Sequence, residues 1–530
     1  MVFTISLKWL SGILTYAKSK ARHLLNWRVS KVASFFGLAL IQLDKASEQP
    51  LHRQIYDSLR QAILEGRLQP GSRLPSTRAL AQDLGLARNT VSRAFEQLLD
   101  EGYLETKVGS GTRVIHDLPD QLITVQEGAP SPDTKPKAVR LSERGQAILK
   151  SRPSHENLPY YWQPFPTQVF SPALPALDAF PFKLWERAWL SAWRDLSYKE
   201  LGYGDAMGYL PLRKSLADYM QTSRGVRCTP EQVVITNGTQ QSLSLITDLL
   251  LNKGDTVWLE NPSFNGIRTS LQSAQADLVP VAVDDEGMQV ETAQQRAPKA
   301  RLVYISPSHQ YPLGVTMSLS RRLKLLNWAS EQDAWIVEDD YNSAFRYAGY
   351  PIPALQGLDQ SESVIYMGTF SKVLFPALRL AYMVVPKSLI EPLRAARARG
   401  DRGLNLPSQV ALRTFIEEGH FARHIRRMRA LYVKRQACLI EAAKCYLKES
   451  LKVSEQVAGL HLVGWLPKGT KDSEVSAALL EVGIDAPALS SFALKPLERQ
   501  GLVLGYTAPE EKLIKGIKKA AHVFSDLGLL

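Results

Sequence analysis

Two residues that follow strand-like segments carry the strongest sign of chemistry. Asp339 closes the apolar run AWIVED, and Lys372 follows the run VIYMGTF by two residues. Open α/β sheets bind ligands at the carboxyl ends of their strands, so such a fold brings both side chains to one crevice. A carboxylate and a lysine in one apolar pocket are suited to Schiff-base chemistry. Taken alone, each residue has a plainer interpretation, as a helix cap and as a surface lysine.

Another strand end indicates a phosphate site. The run VVIT is followed by a helix start at NGTQQSL, where free backbone N–H groups and the helix dipole favour a phosphate. Side chains on either side of Lys372 can donate charge-assisted bonds to the same group. The residues predicted to bind the phosphate are Gly238, Thr239, Gln240, Thr369, Ser371 and Arg379. A phosphate cradle, an acid and a lysine are the parts needed to hold pyridoxal 5'-phosphate.

The elements that position these residues read as a large α/β domain. From about residue 166 onward, apolar runs such as LVYIS and LAYMVV alternate with helical patterns, which favours a largely parallel sheet. The chain has 530 residues, of which 45% are hydrophobic and 22% charged, which excludes a small single module and wholesale disorder. No apolar run is long enough to cross a bilayer, so we expect no membrane partner.

A smaller module precedes the large domain, at residues 44–116. Leu51 to Glu65 has apolar residues at helical spacing, Ser76 can cap a second helix, and Gly85 supplies a tight turn before a third helix from Ala87 to Asp100. The run LETKVGSGTRV then reads as two short strands. Helix, glycine turn, helix and hairpin together predict a winged helix-turn-helix of α+β type.

The module resembles the GntR-type winged helix in the stretches LPSTRALA and RNTVSRAFEQL. The resemblance implies binding to operator double-stranded DNA, whereas the alternative is a protein-docking module of the same shape. The polar start of the third helix would enter the major groove. The residues implied as DNA contacts are Arg78, Arg88, Asn89, Thr90, Ser92 and Lys107. Arg93 has the alternative of an ion pair on the helix surface.

Two segments are set apart by composition. Residues 117–165, which include GAPSPDTKPK, favour an exposed linker. Residues 1–43 are basic and contain no acid, and they have several interpretations: a transit peptide, a membrane-surface helix, or an extension translated from upstream of the natural start, which we favour. The net charge of +12 permits a nucleic-acid partner. Three scattered cysteines predict no metal site and a reducing bacterial cytoplasm.

Taken together, residues 166–530 resemble a fold-type I aminotransferase, and the whole chain resembles a MocR-type regulator of the GntR superfamily. The stretches that carry the resemblance are YGDAMGYLPLRKSLADYM, TNGTQQSL, ENPSF, ISPSHQYPLG, VEDDYNSAFRY and GTFSKVLFPALRLAYMV. It implies that Lys372 forms an internal aldimine with the cofactor. Asp339 would keep the pyridine nitrogen protonated, and Tyr341 would bind the phenolic oxygen.

The resemblance implies roles for four further residues. Phe264 would stack on the cofactor ring, with an ordinary core phenylalanine as the alternative. His309 and Gln310 would line the pocket. Tyr203 would reach the phosphate of a partner subunit, because these domains usually form homodimers with the active site at the interface.

The chain also departs from the aminotransferase pattern. Tyr311 stands where many of these enzymes carry an asparagine, and Val503 stands where the arginine that binds the substrate α-carboxylate is expected. A bidentate arginine is the common device for orienting the substrate. Arg268, or an arginine between 394 and 402, is a possible substitute.

Three functions follow from these observations. The first is a transcription regulator in which an amino acid or amine forms an external aldimine and alters operator binding. The others are a working aminotransferase with a DNA-binding module, and a sensor of pyridoxal phosphate that controls cofactor synthesis. The basic stretch from His420 to Arg435 is interpreted as an amphipathic helix rather than a nucleic-acid site.

Overall fold

The computed structural model describes two compact units, one within residues 1–138 and one within 139–530. The described residues are 41, 43–44, 46–107, 111–116, 140–150, 169–172, 174–348, 352–403 and 405–530. The basic segment at residues 1–40 therefore lies outside them, as does most of the predicted linker. Among the described residues, no helix combines the length and the apolar character needed to span a bilayer.

The N-terminal unit is a winged helix, which confirms the fold predicted for it. Its elements are α1 (Leu51–Leu64), α2 (Thr77–Leu84), α3 (Arg88–Asp100), β1 (Leu104–Lys107) and β2 (Gly111–Val114). The two strands pair antiparallel, with Leu104 opposite Val114. Ile55, Leu59, Val91 and Leu98 are fully buried between the helices. The unit thus has a hydrophobic core of its own.

Local sequence signals account for the helix boundaries of this unit. The Ser76 hydroxyl accepts a hydrogen bond from the Ala79 N–H at 3.2 Å, which caps α2. Gly85 ends α2 with a φ of 65°, a conformation that glycine adopts without strain. Ala87, predicted as the first residue of α3, is its N-cap instead. The tip of the wing, residues 108–110, lies outside the described residues.

The C-terminal unit is built on a mixed sheet of eight strands in the order β3-β10-β9-β8-β7-β4-β5-β6. The strands are β3 (Val233–Thr236), β4 (Thr256–Asn261), β5 (Asp277–Asp284), β6 (Gly287–Met288), β7 (Leu302–Ile305), β8 (Trp335–Asp340), β9 (Val364–Thr369) and β10 (Ala381–Val384). Strands β5, β4, β7, β8 and β9 run parallel, while β10 is antiparallel to both of its neighbours. The largely parallel sheet predicted from the sequence is confirmed.

Helices accompany this sheet along the chain. They are α4 (Glu143–Lys150), α5 (Phe182–Asp195), α6 (Leu210–Arg224), α7 (Thr239–Leu250), α8 (Asn265–Ser273), α9 (Val290–Arg296), α10 (Leu319–Gln332), α11 (Ile390–Gly400), α12 (Leu406–Glu417) and α13 (His420–Tyr446). A stacked pair, Trp258 and Trp328, joins β4 to α10 with ring centroids 3.8 Å apart. Burial of apolar side chains such as these tryptophans drives the packing of the helices on the sheet.

A second, smaller sheet completes the unit. It consists of β11 (Lys452–Val453), β12 (His461–Trp465) and β13 (Gly501–Gly505), with α14 (Asp472–Glu481) and α15 (Glu510–Asp526). The long helix α13 packs on α15 and is amphipathic, as predicted: Phe421, Ile425 and Met428 are buried. Arg427 and Arg429 donate to the carbonyls of Ala179 and Ala344. These two arginines therefore form hydrogen bonds within the C-terminal unit.

One helix lies inside the segment predicted to be an exposed linker. Helix α4 packs against α8, and Arg144 and Lys253 form ion pairs with Asp248 and Glu143, respectively. Composition gave no signal of this docking, because the contacts involve residues more than 100 positions away.

The strand register aligns the ends that were predicted to carry chemistry. Ala381 pairs with Thr236 of β3 on one side and with Thr369 of β9 on the other. In the next strand, Asp340 pairs with Gly368. The residues that follow β3, β8 and β9, and those that precede β10, therefore share one edge of the sheet.

A buried arginine holds the loop that follows β7 at this edge. Arg322 is 2% exposed, and its guanidinium donates to the carbonyls of Met317, Pro353 and Pro307 at 3.0, 2.9 and 2.8 Å. Two of these acceptors flank the segment that contains His309 and Tyr311.

We expect the substitution Arg322→Met to lower the stability of the C-terminal unit by about 3 kcal/mol, because it leaves buried carbonyls without donors. Urea unfolding followed by tryptophan fluorescence measures the change. Arg296→Met, at an exposed arginine, is the control and should stay within about 0.5 kcal/mol of the parent. Equal midpoints for the Arg322 variant and the parent would contradict this role.

Candidate cofactor-binding site

Lys372 and Asp339 form the centre of the site. Burial lowers the pKa of Lys372 to about 8, and the charge of Asp339 opposes this shift. Burial raises the pKa of Asp339 to about 6, and the charge of Lys372 opposes that shift. Each group thus acts on the titration of the other, which means that they lie within electrostatic reach. The amine of Lys372 is in part neutral, and therefore nucleophilic, near pH 8.

A third residue, Tyr304, fixes the carboxylate. It lies on β7, beside Asp339 on β8, and its hydroxyl donates a hydrogen bond to Oδ2 of Asp339. Both side chains are buried. Sequence reasoning missed Tyr304, whose only signal is its place in the run LVYIS. The hydrogen bond lowers the pKa of Asp339 and so favours its ionised form.

Tyr341 presents a buried hydroxyl that has no hydrogen-bond partner among the described residues. Such a group is costly unless something binds it. It lies just after Asp339 on the same strand end, where a ligand held between Lys372 and Asp339 would pass. This orphaned hydroxyl fits the phenolic oxygen of a pyridoxal ring.

The predicted phosphate cradle is assembled from two distant segments. Gly238 is the N-cap of α7, with a φ of 137°, and a Cβ placed on it would lie 3.1 Å from Nη2 of Arg379. The guanidinium therefore lies over the start of the helix. Arg379 itself has a φ of 51°, in the left-handed region that favours glycine. The hydroxyl of Thr369 accepts from the Ser371 N–H at 3.2 Å.

The remaining cradle residues contribute differently from one another. Thr239 is the first residue of α7, so its backbone N–H belongs to the unpaired first turn of the helix. The side chain of Gln240 instead donates to Oγ of Ser270 at 2.5 Å. Any contribution of Gln240 to a phosphate is therefore limited to its backbone.

Phe264 and Tyr311 form an aromatic wall. Phe264 caps α8, and its ring contacts Gly266 so closely that a Cβ there would lie 2.2 Å from Cε1 of the phenylalanine. The ring of Tyr311 stands edge-on to those of Phe264 and Tyr341, with centroids 6.2 and 5.7 Å away. Phe264 is half-buried, which leaves part of the residue uncovered by its own unit.

Val503 lies in an apolar environment beside this wall. It is fully buried on β13 and belongs to a cluster with Tyr311, Leu489 and Phe492. An α-carboxylate placed beside Val503 would face apolar side chains and not an arginine.

Three of the arginines considered as substitutes have other partners. Arg268 donates to Oδ1 of Asn265 at 3.2 Å, and it approaches the Ser491 carbonyl at 3.4 Å. Arg394 and Arg397 pair with acids of their own surroundings, Asp205 and Asp401. These three guanidinium groups are therefore already engaged.

His309 is brought into the site, whereas Gln310 and Tyr203 are not. His309 is buried, with its ring centroid 6.2 Å from that of Tyr341. Gln310 donates to the carbonyls of Pro262 and Tyr311 at 2.7 and 2.8 Å, so it shapes the loop rather than the pocket. Tyr203 is 91% exposed. It is therefore not enclosed with the site residues of its own chain.

Sequence reasoning also missed His461 and Glu260. His461 starts β12 and lies 5.9 Å from His309 between ring centroids. Glu260 is the penultimate residue of β4, and burial raises its pKa to about 8, so it is largely protonated at neutral pH. It accepts from the Ser306 N–H at 3.2 Å. His461 comes from a segment that carries no motif, whereas Glu260 begins the stretch ENPSF, from which only Phe264 was singled out.

Fold and site together define an aminotransferase-type domain joined to a winged helix. The family model "Aminotransferase class I and II" matches residues 184–501, and "Bacterial regulatory proteins, gntR family" matches residues 51–114. Kynurenine aminotransferase of Pyrococcus horikoshii, solved in complex with PMP, is 28% identical at a TM-score of 0.63, covering 74% of this chain and 96% of that one.

Similar proteins extend over both units. The probable rhizopine catabolism regulatory protein MocR of Rhizobium meliloti is 39% identical over 92% of this chain and 96% of its own length. The pyridoxine biosynthesis transcriptional regulator PdxR of Corynebacterium glutamicum is 28% identical over 90% of this chain and 96% of its own. The chain belongs to the MocR-type transcriptional regulators of the GntR superfamily.

Incubation of the cofactor-free protein with pyridoxal 5'-phosphate tests the role of Lys372. Because only the neutral amine attacks the aldehyde, the initial rate of cofactor attachment, followed by absorption, should rise with pH to a half-maximum near pH 8 and then level off. Lys372→Ala should abolish the band.

Lys387→Ala, which removes an exposed lysine paired with Glu362, is the matched control and should retain the band. A rate that keeps rising beyond pH 10, as for an ordinary lysine, would contradict the pKa assigned to Lys372. An unchanged spectrum in Lys372→Ala would remove this residue from the site.

Proposed function

We propose that this protein is a transcription regulator whose aminotransferase-like domain holds pyridoxal 5'-phosphate and senses an amino acid or amine. One observation carries the proposal. The groups suited to holding the cofactor are assembled at one sheet edge, while Val503 occupies the position of the arginine that would orient a substrate for turnover. A domain built in this way retains a ligand more readily than it converts one.

The residues of this chain divide the work of holding the cofactor. When bound, pyridoxal 5'-phosphate supplies an aldehyde that condenses with amines and a ring that withdraws electrons. Lys372 provides the amine that anchors it. Asp339, kept ionised by Tyr304, holds a proton on the pyridine nitrogen, and Tyr341 donates to the phenolic oxygen. The start of α7 and Arg379 neutralise the phosphate.

In this proposal an amine effector would displace Lys372 and take its place on the cofactor. The freed ammonium of Lys372 then needs a new partner, since a buried charge without one is costly. Asp339 and the surrounding polar groups are the nearest candidates. For this exchange to control transcription, the effector must bind more tightly to one arrangement of the domains than to the other.

The winged helix supplies the DNA contacts. Arg88, Asn89 and Lys107 are exposed at the start of α3 and on the wing. Arginine and asparagine are suited to reading guanine and adenine in the major groove, and lysine to binding phosphates. Arg78, Thr90 and Ser92 complete the proposed contact surface. We place this activity in the bacterial cytoplasm, where the DNA lies.

A homodimer completes the proposal. The segment from α5 to the following loop exposes large apolar side chains: Trp193 is 52% exposed, Tyr198 81%, Leu201 65% and Tyr203 91%. Such a surface is unusual for a monomer and favours a second copy as its cover. In that arrangement, Tyr203 of one protomer reaches the phosphate in its partner.

Two other functions remain distinguishable by experiment. A working aminotransferase would return the cofactor to its starting form when a keto acid is added. The relative named as a pyridoxine biosynthesis regulator supports the third candidate, a sensor of the cofactor itself. That sensor would change its DNA affinity on adding pyridoxal 5'-phosphate alone, without any amine.

The DNA probe is a duplex that the protein itself selects from a random library. We expect Arg88→Ala to weaken binding to this duplex by roughly tenfold or more, because a charge-assisted contact is lost. Fluorescence anisotropy of the labelled duplex measures the affinity. Arg93→Ala, on another face of the same helix, is the control. Equal loss in both variants would show that only net charge matters.

The same assay tests the coupling. Addition of an amine to the protein loaded with cofactor should shift the DNA affinity severalfold, and Lys372→Ala should lose this response while Lys387→Ala retains it. If no amine that alters the absorption of the cofactor also alters DNA affinity, the sensor function is wrong.

Light scattering at micromolar concentration tests the dimer. The double variant Trp193→Asp and Leu201→Asp should be monomeric, because each charge would be buried at the interface. Leu319→Asp, at a leucine that is 61% exposed on α10, should leave the dimer intact. A wild-type monomer would refute the proposed assembly.

A further inference from the structure

We propose that the effector is an amine that carries hydroxyl groups near its amino group and lacks an α-carboxylate, and that His461 and His309 recognise those hydroxyls. The inference rests on the proposed function, in which an amine takes the place of Lys372. It goes further by assigning the chemical class of the ligand and the side chains that select it.

The starting point is a pair of buried histidines whose hydrogen bonds are incomplete. His309 is 3% exposed and His461 1%, and their ring centroids lie 5.9 Å apart. Among the described residues, neither nitrogen of His309 has a partner, nor does Nδ1 of His461. Buried polar nitrogens are normally paired, so three unpaired ones in adjacent rings indicate a place for a ligand or for water that the ligand displaces.

The tautomer of His461 follows from its one partner. Nε2 lies 3.1 Å from the carbonyl oxygen of Pro312, which can only accept, so Nε2 carries the proton. Burial, with a smaller contribution from the positive charge of Lys372, lowers the pKa of the ring to about 4. The ring is therefore neutral, and Nδ1 has a lone pair that must receive a hydrogen bond.

His309 offers one donor and one acceptor. Burial and the neighbouring His461 and Arg346 lower its pKa to about 3, so it too is neutral. Two glycines make room for the ring: a Cβ on Gly459 would lie 2.5 Å from Nε2, and one on Gly314 would lie 3.2 Å from Cε1. A hydroxyl group, which both donates and accepts, is the simplest complement to such a ring.

The histidines lie beside the place where the amine reacts. The charge of Lys372 reaches His461, as its effect on the pKa shows. Tyr311 connects the two regions, because its ring centroid lies 5.0 Å from that of His461 and 5.7 Å from that of Tyr341. A group recognised by His461 therefore lies on the part of the ligand that is near Tyr311, Tyr341 and the reacting amine.

A carboxylate does not fit this position. It has no proton to donate, so it cannot satisfy the lone pair on Nδ1 of His461. Val503 supplies an apolar wall in place of an arginine, and the guanidinium of Arg268 is bound to the loop at Ser491. Arg346 acts on the titration of His309, whereas the charge that acts on Lys372 is Asp339. Arg346 is thus within electrostatic reach of His309, and its Nε is buried without a hydrogen-bond partner among the described residues.

Three small amines of matched shape test the inference. Serinol carries two hydroxymethyl groups, serine replaces one of them with a carboxylate, and isopropylamine replaces both with methyl groups. Each is titrated into the full-length protein loaded with pyridoxal 5'-phosphate, with the cofactor absorption and the DNA affinity as readouts. Serinol should half-saturate both at a concentration at least tenfold below the other two, because a site built to bind a hydroxyl rejects analogues that lack it.

Three results would overturn the inference. Tighter binding of serine than of serinol would show that an α-carboxylate is recognised after all. Tighter binding of 5-aminopentanoate than of serinol would show that the protein recognises a carboxylate distant from the amine, with Arg346 as its partner. If no cofactor band forms in the parent protein, the proposed function itself fails. If the band forms and shifts equally with all amines, only the present inference fails.

A substitution isolates the acceptor nitrogen. In His461→Gln the side-chain amide can keep the bond to the Pro312 carbonyl but has no nitrogen at the position of Nδ1. This variant should raise the half-saturating concentration of serinol about tenfold and leave that of isopropylamine unchanged, with the cofactor band retained. His522→Gln, at an exposed histidine of α15, is the matched control. An equal loss for both amines in the His461 variant would mean a merely structural role.

Discussion

The buried pair of Lys372 and Asp339 is the interaction on which the rest of the site depends. Both groups lose hydration at the edge of the sheet, which moves the pKa of the amine to about 8 and that of the carboxyl to about 6. The charge of Lys372 favours the ionised form of Asp339, whereas burial favours the neutral, nucleophilic form of Lys372. Tyr304 adds a hydrogen bond that keeps the carboxylate ionised and oriented. A lysine of ordinary pKa could not react readily at neutral pH.

The site has two halves, which differ in whether their buried polar groups have hydrogen-bond partners. On one side, Asp339 has Tyr304 as its partner, and Arg379 lies against Gly238. On the other side, both nitrogens of His309 and Nδ1 of His461 are buried without partners among the described residues. The first half is complete as it stands and is suited to a permanent cofactor. The second half is complete only when something else binds, which is the property expected of a sensor.

The sequence predicted those site residues that lie at strand ends. The sequence allowed us to group Asp339, Lys372, Gly238 and Arg379, because parallel strands bring their carboxyl ends to one edge of the sheet. The observed pairing of Ala381 with Thr236 and with Thr369 brings the strand ends next to these residues together at that edge. The departure at Val503 was also visible in the sequence, and its apolar surroundings give it a physical meaning.

The remaining contacts could not be predicted, because they join segments that are far apart in the chain and carry no motif. His461 meets His309 across about 150 residues, through the contact of β12 with the loop after β7. Tyr304 has no signature beyond an apolar strand. Gln240 was predicted to contribute its backbone N–H to the cradle, and the bond from its side chain to Ser270 on α8 had no signal in the sequence. Helix α4 lies in a segment whose composition favours a linker, and it packs against α8.

The central claim is that this domain retains its ligand rather than converting it. A time course of the absorption spectrum, recorded after an amine is mixed with the protein loaded with cofactor, tests it most directly. The account predicts a band that shifts on binding and then persists. Loss of that band to the amine form of the cofactor, with recovery on adding a keto acid, would contradict the account and establish a working aminotransferase.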